Sequence, residues 1–275
     1  MKKKIVIISS IVAIVLIIGG ILGYFLYLKP HNEAVKKYNA EVSVIKNKNA
    51  ELDEEISKLQ RLIDSKDKPL DGTLIDLSKE TIKKAGAEKV IVPKMPSKTA
   101  DIISQTEEYS GGVDYSLNIA LLKEKQIALE TSQKQYKQFV CPSEEFVLQR
   151  VLAIDEVTAA KPVTEDNDPN GKLNKAGGYT ATVFLESKNI NKDEYSLEND
   201  VIENGTEGGG AVEVFANEED AVKRNDYLST FDGSLFDTGS HTVVGTTVIR
   251  TSTHLTATQQ KELQEKIIDA LARLE

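Results

Sequence analysis

The apolar positions of this chain fall into three patterns. The first has no polar interruption that matters: from Ile5 to Leu28 the sequence IVIISSIVAIVLIIGGILGYFLYL runs for twenty-four residues without a charge. At 1.5 Å per residue such a helix is about 36 Å long, enough to cross a hydrocarbon core of about 30 Å with some tilt. The run predicts a transmembrane helix over 5–28, with the lipid bilayer as its partner. It is longer than the apolar stretch of a cleaved signal peptide, and no small-residue cleavage site follows it. We therefore expect an uncleaved signal anchor.

The second pattern begins just beyond Pro30, where a break or kink is expected. Val35, Tyr38, Val42, Ile45, Asn49, Leu52, Ile56, Leu59 and Ile63 recur at alternating steps of three and four. Four heptads of this kind predict a long coiled-coil stalk over 31–66. Val35, Val42, Asn49, Ile56 and Ile63 occupy position a, and Tyr38, Ile45, Leu52 and Leu59 occupy position d. β-branched residues at a, Leu at d and one Asn at a favour a parallel homodimer. In that register Glu41 would face Lys46 of a second copy, and Lys48 would face Asp53. The rival arrangement is an antiparallel hairpin within one chain. A second long helix, expected over 115–140, offers the stripe Ile119, Leu122, Gln126, Leu129, Gln133, Tyr136 and Val140. Between the two, residues 67–114 read as a linker with a short helix from Leu74 to Lys84, an extended segment at Val90-Ile91-Val92, and Pro93 to Pro96 too proline-rich for a helix.

The third pattern, over 142–275, mixes helical spacing with strict alternation. Phe146, Val147, Arg150, Val151 and Ile154 predict a helix after Pro142. Tyr179, Ala181, Val183 and Leu185 alternate with Thr180, Thr182, Phe184 and Glu186 as a strand. Ala211 to Ala216 and Thr242 to Thr251 read as two more strands. Asn217 is placed to cap a helix running to about Thr230, and Thr256 with Gln259 to form a capping box on a final helix. The order α-β-β-α-β-α predicts an α+β domain: a small, mostly antiparallel sheet with helices on one face.

Charge adds orientation. Lys2, Lys3 and Lys4 precede the span and, by the positive-inside rule, hold residues 1–4 as a cytoplasmic tail and place the rest outside the cell. Lys29, Lys36 and Lys37 follow the span and narrow that bias. The chain carries −9 overall and residues 1–29 carry +4, so residues 30–275 carry −13. This acidity disfavours nucleic acid as a partner. The one cysteine, Cys141, has no internal disulfide partner and no adjacent His or Arg to activate it; a bland, partly buried thiol is expected.

Four stretches, PSEEFVLQR, VTEDNDPNGKLNKAGGYTATVF, EEDAVKRNDYLSTFDG and GSHTVVGTTVIRTSTHLTATQQKEL, together resemble a group of uncharacterised envelope proteins of low-GC Gram-positive bacteria, anchored or lipid-linked with a coiled stalk before this domain. The resemblance covers Cys141 to Leu271. It implies an extracytoplasmic placement and carries no activity.

Three features invite chemistry. Asp166-Asn167-Asp168-Pro169-Asn170-Gly171 opens like a calcium loop, with oxygen ligands Asp166, Asp168 and Asn170 at positions 1, 3 and 5 and Gly at 6. Position 12, where a bidentate Glu is needed, is Gly177, so a polar turn is the competing reading. The glycine run Gly205 to Gly210 lacks the Gly-Lys-Ser/Thr of a phosphate loop and precedes a strand; a loop or bulge is expected. His241 and His254 flank the third strand near Ser240, Asp237 and Asp232. Thirteen residues apart across a strand, they are expected at opposite ends, without a triad. Arg150, Arg224 and Arg250 sit among apolar residues and are expected to pair with acids. The function this supports is a single-pass, membrane-anchored, non-catalytic binding or scaffold module of the cell envelope. The alternatives are a calcium-dependent adhesion module and a cell-wall hydrolase.

Overall fold

The computed structural model describes residues 2–198, 200–234 and 237–275, with side chains from Ser10 onward. Helix α1 spans Lys2–Gly23; a π-helical turn, Tyr24–Leu28, joins it without a break to α2, Lys29–Ile63. Among the described residues this is the helix long and apolar enough to cross a membrane. The expected break at Pro30 is a widened turn instead. Pro30 has no N–H to give the carbonyl four residues back and its ring crowds that carbonyl. The preceding turn opens so that Lys29 N–H reaches Tyr24 O, and the helix continues.

The chain forms two compact units, residues 1–65 with 73–127, and residues 66–72 with 128–275. In the first, α2 is joined by α3 (Thr73–Ala87), α4 (Thr99–Tyr109) and the start of α5 (Ser116–Lys137). The heptad stripe is closed within the chain. Ile45, Leu52 and Leu59 are at most 1% exposed, and Tyr38 and Val42 are buried with Ile102 of α4. Asn49 donates to Val90 O at 2.9 Å and accepts from Tyr115 OH at 2.8 Å, while Val90 N–H donates to Tyr115 Oη. Gln126 donates to Glu55 O and Oε2. These contacts are all made within one chain, as in the intrachain alternative. The sequence reading missed α4, whose only buried residue is Ile102. It also carried α5 three residues too far, since Val140 lies beyond the helix and is exposed.

The second unit is built on a five-stranded antiparallel sheet of order β1-β2-β3-β5-β4. The strands are β1 (Val157–Pro162), β2 (Tyr179–Ser187), β3 (Gly209–Phe215), β4 (His241–Val244) and β5 (Thr247–Thr251). Two strands exceed the expected three. β1, with the sequence VTAAKP, has too little apolar alternation to announce itself. The single strand expected over 242–251 is a hairpin, turned at Gly245, whose φ is +58°.

Helices cover both faces rather than one. Helix α6 (Glu144–Leu152) and α10 (Ala257–Ala272) pack with Val183, Leu185, Val212, Val214 and Ile249. The four-residue α8 (Val201–Asn204) and α9 (Glu218–Ser229) pack with Phe184, Ala211, Phe215 and Val248. A further short turn, α7 (Lys192–Tyr195), precedes α8. Two-sided cover follows from β2 and β3, which are apolar on both faces. The register of β2 against β3 shifts between Tyr179 and Ala181. This bulge moves Tyr179 from its expected place beside Ala181 to the side of Phe184 and Phe215. The expected caps form: Asn217 accepts from Asp220 N–H, and Thr256 and Gln259 make the reciprocal box.

Candidate functional site

The α9 face of the sheet carries a cleft of about 800 Å³. Its floor is Tyr179 and Phe184 of β2, Phe215 of β3 and Arg250 of β5. One wall is the loop around Pro169, Asn170 and Lys172; the second is Glu203 to Glu207; the third is α9 with Arg224 and Tyr227. The two loops singled out by sequence, and two of the three arginines, thus meet at one place.

The floor rests on an ion triad. Glu213, at the centre of β3, is fully buried. Arg224 grips it side-on, Nε to Oε2 at 2.8 Å and Nη2 to Oε1 at 2.9 Å, and Arg250 Nη1 donates to Oε1 at 2.9 Å. Burial alone would push the Glu213 carboxyl up, but the Arg224 hydrogen bonds and the charges of Arg250 and Arg224 outweigh it and hold the group below the usual range. Alternation explains the site: Ala211, Glu213 and Phe215 share one face of β3, opposite Arg250 and Val248 of β5. The sequence reading found both arginines and missed Glu213. Its signal was a lone acid on the inward rhythm of AVEVF, which has no charge to water and so demands cations.

Asp168 organises the first wall. Its Oδ1 accepts from Asn170 N–H and Tyr179 OH, and its Oδ2 from Lys172 N–H at 2.6 Å and Leu173 N–H at 2.8 Å. Partial burial opposes the charge, but these donors, Tyr179 first, hold the carboxyl below its ordinary value. Burial and the bond to Asp168 push the Tyr179 phenol up. Asn170 Nδ2 turns to Tyr179 Oη, and Asp166 is exposed to solvent. Asp168, the central carboxylate of the turn, thus accepts four hydrogen bonds from the chain itself. Among the described residues no cluster of three or more His, Cys, Asp or Glu stands in metal-binding array.

The glycine run has a packing role. A Cβ on Gly210 would lie 2.3 Å from Arg250 O, and one on Gly209 2.6 Å from Ser187 N, so β3 enters between its neighbours only as glycine.

The histidines lie outside the cleft. Because β4 and β5 form a hairpin, His241 pairs with Arg250 and shares an end of the sheet with His254, not the opposite end as expected. His241 Nδ1 meets Asn225 Oδ1 at 2.8 Å and Nε2 meets Asp232 Oδ1 at 3.1 Å, while Ser240 Oγ donates to Gln264. His254 stacks on Tyr195, centroids 3.8 Å apart. Serine, histidine and acid are each present, but the serine is not bonded to the histidine. Arg150 lies apart from both, over the Phe146 ring and 3.3 Å from Glu275. Cys141, expected to be partly buried, is exposed.

Comparison with protein-family models, with curated proteins and with solved structures returned no match.

Proposed function

We propose that this chain is a single-pass, membrane-anchored module that presents its sheet domain outside the cell and binds through the cleft on the α9 face without catalysing a reaction. The observation that carries the reading is the helix itself. An apolar span continues through a π turn into α2 without a break in the helix, so the first unit is tethered directly to the span. Tyr24, Phe25 and Tyr27 are exposed at the end of the apolar run, next to Lys29, as suits residues at a membrane–water interface. The positive residues Lys2 to Lys4 favour a cytoplasmic start, and the resemblance to Gram-positive envelope proteins favours the same placement. A binding role agrees with the cleft, where Glu213 and Asp168 are held by the chain's own donors rather than poised to move a proton.

Cys141 supplies the test, because it is the only cysteine and is exposed. In intact cells a membrane-impermeant maleimide is expected to label it, with the labelled chain staying in the membrane fraction after an alkaline wash. Labelling only after lysis would overturn the orientation. A labelled chain released to the medium would overturn the anchor.

A further inference from the structure

The charge on the cleft floor does not balance. Arg224 and Arg250 share the single carboxylate of Glu213, leaving one positive charge in a site nearly closed to water: the two guanidinium side chains are 14% and 7% exposed and Glu213 is 0% exposed. The acids that line the cleft, Glu203, Glu207 and Asp220, make no bond to either arginine; Asp220 is held by Asn217 and lies 3.8 Å from Lys223. Nor are all the polar atoms satisfied. Arg250 Nε and Thr238 Oγ1, both on cleft-lining residues, are buried without a hydrogen-bond partner among the described residues. So is Thr182 Oγ1, which pairs with Glu213 in the sheet register. Buried polar atoms are ordinarily paired, and a buried charge without a full counter-charge is among the least favourable groups a fold can hold. The unmet charge, Arg250 Nε and Thr238 Oγ1 all belong to residues that line the cleft.

The geometry points to an organic carboxylate as the ligand of this cleft, its head on Arg250 and Arg224 and its apolar body against Phe184, Phe215 and Tyr227. Three features select that class. One surplus positive charge is neutralised by a monoanion. A guanidinium presents parallel donors that match the two oxygens of a carboxylate. The walls hold three acids, Glu203, Glu207 and Asp220, against two lysines, Lys172 and Lys223, and this net negative charge disfavours the second charge of a phosphate monoester. The aromatic floor and the exposed Tyr227 ring, which lies against Phe231 at 5.2 Å between centroids, offer stacking to the rest of the molecule. This inference rests on the cleft being a binding site, as proposed above, and names what that site takes.

The test is a comparison of probes on the full chain in nanodiscs by isothermal titration: N-acetylphenylalanine, its neutral amide, and phenyl phosphate. The acid is expected to bind at least about tenfold more tightly than the amide and more tightly than phenyl phosphate. Arg250→Gln should abolish the difference between acid and amide. Tyr227→Ala, at a residue 55% exposed and outside the core, should weaken both equally. Equal affinity of acid and amide, tighter binding of the phosphate, or no binding of the acid up to about 10 mM would overturn the carboxylate assignment. The wild-type comparison needs no variant, so a misfolded Arg250→Gln chain leaves it intact. Failure of the probes while Cys141 is still labelled from outside would sink this assignment and leave the anchored placement standing.

Discussion

Replacing Glu213 by Gln would leave Arg224 and Arg250 largely buried and facing a neutral amide. Breaking a buried ion pair from one side costs about 3–5 kcal/mol, because the remaining charge loses its partner but not its burial. Urea unfolding of the detergent-solubilised chain should show a loss of that size for Glu213→Gln. Lys84→Ala, which breaks the exposed pair with Glu80, should cost far less. A small loss at Glu213 would mean that water reaches the triad. Asp168 gives a pH signature. Its folded carboxyl titrates below the ordinary value, so its contribution is fully present above about pH 3.9 and is lost as pH falls through the depressed folded value. Asp168→Asn should therefore cost about 2 kcal/mol at neutral pH and flatten this part of the acid limb of the stability curve. The same bonds predict that the melting temperature is unchanged between millimolar calcium and EDTA; a rise with calcium that disappears in Asp166→Asn would reinstate the cation. At this scale the sequence was most legible where chemistry is local. The caps at Asn217 and Thr256 follow from residues three positions apart. Glu213 was not legible, since its partners lie 11 and 37 residues away and only the sheet register brings them together.

The elements show the same division. The heptad stripe on α2 was readable because its period is long and regular, and the chain does bury it. What covers it was not readable: two glutamines made the α5 stripe look weak, yet Gln126 is the residue that reaches across to Glu55. Two consequences separate the packing seen here from a dimer seam. Leu52→Ala should destabilise the first unit by about 2–5 kcal/mol, the usual cost of a cavity at a closed site. That loss, followed by helical circular dichroism, should not vary with protein concentration. A cost that vanishes on dilution would place a second copy in the seam. In the sheet domain, strands β2 and β3 were evident from their alternation. β1 was hidden because an edge strand of VTAAKP buries little, and the β4–β5 hairpin because the run from Thr242 to Thr251 is interrupted only by Gly245. A bulge of one residue then decided which face Tyr179 occupies, and with it that the Asp168 loop lies over the cleft. No periodicity in the sequence encodes that shift.

For the molecule as a whole, the proposed orientation rests on a narrow margin of charge. Lys2, Lys3 and Lys4 lie on one side of the span, and Lys29, Lys36 and Lys37 follow it on the other. Acidic residues contribute little to the sidedness of insertion, so Glu33 and Glu41 do not cancel the trailing lysines, and the orientation proposed above depends on the leading three. Changing Lys2, Lys3 and Lys4 together to Gln removes that hold while leaving the apolar span and the folded domain untouched. Labelling of Cys141 by an impermeant maleimide in intact cells should then fall severalfold, with the missing fraction recovered after lysis. Changing Lys29, Lys36 and Lys37 to Gln instead should leave labelling at its full level. If neither triple substitution altered labelling, charge would not be setting the orientation, and the direction in which the bulk of the chain is translocated would have to come from the length and apolarity of the span itself.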